Sequence, residues 1–267
     1  MIINPSWMIL NLLMMMSTLN RNPRDMLIFA LDVGEGIEEA TSWVERLRDH
    51  VGIFKVGKES FTRHGPRIVE MIRDKGKKVF LDLKFHDIPN TVAGAAVGAV
   101  EHGVYMFNVH ALGGREMMEG TVAAVNRVVQ EGGLSVPIIL AVTVLTSLND
   151  GDLKQMGFNC SAGELTLHLA KIAQESGVSG VVASARDIDT IRSTCGRDFI
   201  IVTPGMREAT AADDDQKRTS TVRNAIMRGA DYIVVGRPIR NAADPVHKVE
   251  EIVHEITEGL AMREKVV

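Results

Sequence analysis

From Met26 onward the chain repeats one unit, a short apolar run followed by a segment with helical spacing. The apolar runs are Leu27–Leu31, Ile53–Val56, Lys78–Leu81, Tyr105–Val109, Pro137–Val142, Gly180–Ala183, Phe199–Val202 and Tyr232–Val235. Within them apolar residues follow one another and do not alternate with polar ones. Strands buried on both faces have this composition, and a parallel sheet covered by helices is their usual setting. The segments between, such as "GIEEATSWVERLRDH", "TVAGAAVGAVEHG" and "SAGELTLHLAKIAQESG", carry apolar residues at helical intervals. Several end in a glycine before the next strand (Gly76, Gly103, Gly177, Gly229), as helix C-terminal chemistry favours. Eight such units match a closed (β/α)8 TIM barrel in size, with an open doubly wound sheet as the competitor. No linker or low-complexity tract breaks the pattern, so one barrel domain is expected over residues 26–267.

Residues 1–25 lie outside the repeat. "WMILNLLMMM" (Trp7–Met16) is apolar, but ten residues cannot span a bilayer. The first basic residue is Arg21 and no A-x-A-like site follows, so a signal peptide is disfavoured. Met14, Met15 and Met16 could each start translation. The segment is therefore expected to be an upstream start-site extension or a poorly ordered leader.

Charge and composition exclude some partners. The 267 residues include 30 basic and 34 acidic side chains, a net charge of −4, and only 4% are aromatic. Neither a phosphate-tracking basic face nor a base-stacking platform is indicated, so nucleic acid is not an expected partner, nor is a membrane. Cys160 and Cys195 lack zinc-ligand spacing and read as reduced thiols in a cytoplasmic protein.

In a barrel of this kind the chemistry sits where the strands end. Asp32 follows strand 1, and strand 2 carries Lys55 in "FKVG". Strand 3 leads into "DLKFHDIPNT", which places Asp82, Lys84, His86 and Asp87 within six residues. Strand 4 ends in Asn108 and His110, and strand 5 leads to "TVLTS". Asp82 and Lys84 are two apart on a segment read as extended, so both are expected to face the barrel interior. With Lys55 from the adjacent strand, and Asp87, they are expected to form an alternating array of charge. Each group in such an array gains an opposite neighbour and stays ionised. A salt-bridge network that merely closes the barrel top is the bland alternative. Four charges on adjacent strand ends facing one hole favour function.

His86 and His110, with Asp82 and Asp87, also invite a metal reading. A lysine inside the cluster opposes a divalent cation, so no metal is expected. No organic cofactor is expected either, because neither a complete G-x-G-x-x-G nor G-x-x-x-x-G-K-[ST] occurs, and G-x-S-x-G is absent too. A phosphate site is indicated independently. "TPGMRE" with Arg207 follows strand 7 and "VVGRP" with Gly236 and Arg237 ends strand 8, where this fold commonly binds phosphate.

Taken in order, "ALD" at Ala30–Asp32, "FKVG", "DLKFHDIPNT", "NVHA" at Asn108–Ala111, "VTVLTS" at Val142–Ser147, "VTPG" with Arg207, "DDQ" at Asp214–Gln216 and "VVGR" resemble the bacterial-type orotidine 5'-phosphate decarboxylase family over residues 26 to 258. The ten-residue block is the most specific of these. Related phosphosugar decarboxylases and synthases share only the sparser D-x-K-x-x-D pattern. The resemblance implies decarboxylation of orotidine 5'-monophosphate to uridine 5'-monophosphate, the last step of de novo pyrimidine synthesis. Lys84 matches the lysine that protonates C6, Asp82 the carboxylate beside the leaving group, and Lys55 the lysine that links Asp32 to Asp82 and the ribose. Asp87, Ile88 and Thr91 match a stretch lent to the neighbouring subunit, which implies a homodimer with shared sites. Thr146 matches the pyrimidine contact, and Arg207, Gln216, Gly236 and Arg237 match the phosphate-gripping set.

Three rival readings remain on the residues alone. One is a metal-dependent phosphosugar decarboxylase or aldolase-like synthase. Another is a Schiff-base aldolase using Lys84 or Lys55. The third is a phosphate-ligand-binding protein without turnover, which would have no use for the Lys–Asp array.

Overall fold

The computed structural model describes residues 22–34, 36–205 and 221–265. Among them, eight parallel strands close into a barrel in sequence order. They are β1 (Leu27–Ala30), β2 (Ile53–Gly57), β3 (Lys78–Phe85), β4 (Met106–His110), β5 (Ile138–Val142), β6 (Gly180–Val182), β7 (Ile200–Pro204) and β8 (Tyr232–Val235). Pairing of Ile28 with Val234 completes the ring. The expected (β/α)8 architecture is present, and the open sheet is excluded by this closure. The helices are α1 (Ile37–Leu47), α2 (Lys58–His64), α3 (Arg67–Asp74), α4 (Pro89–Glu101), α5 (Gly114–Gly132), α6 (Asp150–Gln155), α7 (Ala162–Glu175), α8 (Ile188–Cys195), α9 (Val222–Arg228), α10 (Arg237–Arg240) and α11 (Pro245–Lys265). The four glycines singled out before strands all take positive φ, from 65° at Gly103 to 117° at Gly229. A side chain there would be strained, which is why glycine ends these segments.

The apolar runs divide by parity. Phe29, Phe54, Leu81 and Phe107 face outward into the layer shared with the helices. Ile28, Ala30, Ile53, Phe80, Met106, Leu140, Val202, Tyr232 and Val234 face inward and fill the barrel. Because strand side chains alternate, the next inward positions above this plug are Asp32, Asp82 and Asn108. Lys55 also points inward, level with Ala30 and Phe80, and its long stem rises toward the same layer. A dry apolar stack thus carries a polar top layer.

Two sequence expectations shift. The described chain begins at Asn22, upstream of the boundary expected at residue 26. Asn22 caps a short 3-10 turn at Pro23–Met26 through the Arg24 N–H, and Arg24 donates two hydrogen bonds to Glu250 at 2.6 and 2.7 Å. These residues belong to the barrel's base. Residues 1–21 lie outside the described residues. Strand β3 does not end at Leu81 but continues to Phe85, with a break in its register against β4 between Leu81 and Phe85.

Candidate active site

The irregular end of β3 shapes the site. Lys84 has φ 51° and is the single non-glycine residue with positive φ among the described residues. Such a conformation costs on the order of 1–3 kcal/mol and persists only where neighbours enforce it. Here the Lys84 N–H donates to Asn108 Oδ1 at 2.7 Å. The extended spacing expected for Asp82 and Lys84 is therefore not what joins them. The left-handed turn does so, and Lys84 Nζ reaches Asp82 Oδ1 at 2.6 Å.

A continuous row of alternating charge results. Lys55 Nζ lies 3.3 Å from Asp32 Oδ1 and 3.4 Å from Asp82 Oδ2. The order Asp32, Lys55, Asp82, Lys84 runs across the ends of β1, β2 and β3. Lys55 and Asp82 are the shielded middle, with side chains 10% and 14% exposed, while Asp32 at 41% meets solvent. Gly57 keeps the row open, since a Cβ on it would fall 2.8 Å from Asp32 Oδ1 and 3.0 Å from Lys55 Nζ.

Asp87 does not join this row, contrary to the expectation drawn from its nearness in sequence. It is exposed, and its carboxylate accepts the Ile88 N–H at 2.7 Å as α4 begins. The left-handed turn at Lys84 separates its direction from that of Asp82. Ile88 is 67% exposed and Thr91 is exposed as well, so this stretch is open to solvent. Thr146 is exposed on the loop after β5. Gly236 caps α10, and Arg237 opens it as an exposed residue above β8. Arg207 and Gln216 lie outside the described residues.

Sequence noted Asn108 at a strand end without giving it a role, and passed over Ser60 and Arg240. Asn108 is wholly buried and bridges Lys84 to Asp82, with its Nδ2 donating to Asp82 Oδ1 at 2.7 Å. Ser60 donates to the Leu31 carbonyl at 2.7 Å, and Arg240 donates to the Asp32 carbonyl, so the turn bearing Asp32 is pinned from two helices. Asn108 at a strand end was visible in the sequence; the partners of Ser60 and Arg240 are too distant along the chain to be read. His86 and His110 stack ring on ring, with centroids 5.3 Å apart. Burial, then the charges of His86, Lys58 and Lys84, push the His110 pKa down to about 4, so its ring is neutral at neutral pH. Its Nδ1 accepts the Leu112 N–H at 3.3 Å. Among the described residues no three His, Cys, Asp or Glu side chains converge as metal ligands, and no helix is long and apolar enough to cross a membrane.

Fold and site together define a class: a (β/α)8-barrel enzyme whose polar centre is a lysine–aspartate row at the C-terminal ends of β1–β3, buttressed from β4. Comparison with known proteins narrows it. Residues 25–252 match the family described as "Orotidine 5'-phosphate decarboxylase / HUMPS family". A protein of Syntrophus aciditrophicus (strain SB) named orotidine 5'-phosphate decarboxylase is 58% identical over 245 residues, covering 91% of this chain and 98% of its own. One of the same name from Syntrophotalea carbinolica is 52% identical over 237 residues, covering 89% and 97%. The crystal structure of orotidine 5'-phosphate decarboxylase from Lactobacillus acidophilus superposes with a TM-score of 0.75 at 36% identity, covering 86% of this chain and 98% of that one. The chain belongs to the orotidine 5'-phosphate decarboxylase / HUMPS family and is an enzyme.

Proposed function

We propose that this enzyme decarboxylates orotidine 5'-monophosphate to uridine 5'-monophosphate, with Lys84 as the proton donor to C6. The observation that carries the reading is the unbroken row Asp32–Lys55–Asp82–Lys84 at the barrel mouth. The names of the relatives supply the substrate.

The chemistry explains why such a row is useful. When carbon dioxide leaves, the electron pair of the C–C bond stays on a ring carbon with no ordinary electron sink. Catalysis of so slow a reaction demands stabilisation near the top of the enzymatic range, up to roughly 23 kcal/mol. A fixed ammonium facing the developing charge is the largest available contribution, because its orientation is set before the reaction starts. Lys84 gives a proton from Nζ to C6 and recovers one from water after product leaves. Asp82 sits beside the departing carboxylate and holds the Lys84 ammonium in place. Lys55 stands between Asp82 and Asp32 and ties the two carboxylates together.

The rest of the reading distributes substrate contacts. Asp32 and Lys55 face the ribose, Thr146 the pyrimidine, and Gly236 and Arg237 the phosphate. Arg207 and Gln216 complete the phosphate grip, and closure around the phosphate turns remote binding into ordering of the site. Asp87, Ile88 and Thr91 serve the site of a second subunit. Their exposure to solvent supports that role. The reaction needs neither a metal nor an organic cofactor, and the enzyme works as a cytoplasmic homodimer. The test is direct: purified protein added to orotidine 5'-monophosphate should abolish the orotate-ring absorbance. Unchanged absorbance with folded protein would refute the activity.

A further inference from the structure

We infer that Asn108 is a positioning residue, a rigid buried clamp that sets the Lys84 ammonium and the Asp82 carboxylate in their working geometry. The inference rests on the reading of Lys84 as proton donor. Asn108 lies on β4, in regular register with Leu140 of β5, and no part of it reaches solvent. Across from it, β3 is irregular. The rigid strand therefore holds the irregular one, through a side chain.

The side chain uses both of its faces. Its Oδ1 accepts the Lys84 N–H at 2.7 Å, and its Nδ2 donates to Asp82 Oδ1 at 2.7 Å. The amide orientation follows from the partners, since a backbone N–H can only donate and an ionised carboxylate can only accept. Asp82 Oδ1 also receives Lys84 Nζ at 2.6 Å, leaving Oδ2 to Lys55 at 3.4 Å. One planar group thus fixes the backbone that carries the lysine and the carboxylate that aims it. Alanine offers neither contact. Aspartate keeps the acceptor for the Lys84 N–H but loses the donor, and sets a second carboxylate against Asp82.

The Asn108→Asp variant provides a readout that a merely structural role would not move. The charged and titratable groups around the position are Asp82 and Lys84 on β3, Lys55 on β2 with Asp32 behind it, and His110 on β4 with His86 and Lys58 beyond. Leu140 of β5 brings no charge. Two carboxyl groups sharing one site cannot both ionise freely, so the introduced carboxyl takes up a proton well above its ordinary range. Protonated, it again donates to Asp82.

The experiment measures kcat and KM for wild type, Asn108→Asp and Asn108→Ala on orotidine 5'-monophosphate from pH 5 to pH 8.5, with circular dichroism of each protein. At pH 8.5 both variants should lose about 100-fold in kcat, the scale of a small misplacement of reacting groups, while KM changes little. On lowering the pH, kcat of Asn108→Asp relative to wild type should rise at least about tenfold, and that of Asn108→Ala relative to wild type should stay level. Taking the ratio to wild type removes the titration of the surrounding groups. A level ratio for folded Asn108→Asp, or near-wild-type kcat for Asn108→Ala, would overturn the inference. So would failure of both variants to fold, since Asn108 would then be a determinant of the fold. Absence of turnover in the wild type would instead refute the activity itself.

Discussion

Replacing Lys55 with methionine separates a catalytic charge row from a structural one. Methionine has similar length and no charge, so the barrel keeps its packing. Lys55 Nζ stands 3.3 Å from Asp32 and 3.4 Å from Asp82. At an effective dielectric constant of about 20, each contact has a gross attraction of about 5 kcal/mol. Most of that is offset by the cost of stripping water from a lysine side chain that is only 10% exposed. Removing one partner of a buried pair destabilises a fold when it strands the other charge, and neither carboxylate is stranded here, so the net effect on folding is small. Asp82 keeps Lys84 and Asn108 as partners, and Asp32 is open enough to be hydrated. The reacting geometry has no such compensation. Losing the central cation should cost about 3 kcal/mol of transition-state stabilisation, the scale of losing one preorganised electrostatic contact, or about 100-fold in kcat. The assay is paired: steady-state turnover, and thermal unfolding of the same sample. The expected outcome is the loss of turnover with a midpoint that rises or moves by less than about 3 °C. A fall of about 10 °C with turnover intact would mean that the row only closes the barrel, and the mechanism would be wrong.

Two further outcomes test the substrate contacts. Arg237→Ala should damage kcat/KM for the full nucleotide by about 100-fold or more, and far less for the nucleoside lacking phosphate; equal damage to both would remove Arg237 from the phosphate grip. Lys84→Ala and Asp87→Ala chains, each inactive alone, should regain about a quarter of wild-type activity when unfolded together and refolded, because half the dimers are mixed and each carries one intact site of two. No recovery, with mixed dimers shown to have formed, would confine Asp87 to its own chain.

The barrel was legible because its strands are short, apolar and regularly spaced, and parity alone sends Asp32, Lys55 and Asp82 inward. Sequence grouped Lys55, Asp82 and Lys84 in one array but counted Asp87 as its fourth member, where the structure has Asp32. What escaped is the geometry at the end of β3. Sequence ended the strand at Leu81 and read Asp82 and Lys84 as extended beyond it, whereas β3 runs on to Phe85 with a left-handed residue at Lys84 whose N–H is held by Asn108, 24 positions away. That turn also explains why Asp87, three residues beyond Lys84, leaves the row. Arg240 and Ser60 support Asp32 through contacts 208 and 29 positions apart from their acceptors, which no local pattern encodes.

The central claim is that Lys84 delivers the proton. Lys84→Ala, prepared beside the wild type, should bind uridine 5'-monophosphate with affinity within about tenfold of wild type, because the phosphate contacts lie elsewhere. Its turnover of orotidine 5'-monophosphate should fall by at least about 1,000-fold, since the donor and the charge facing C6 vanish together. Turnover near that of the wild type in a folded, nucleotide-binding Lys84→Ala protein would contradict the account.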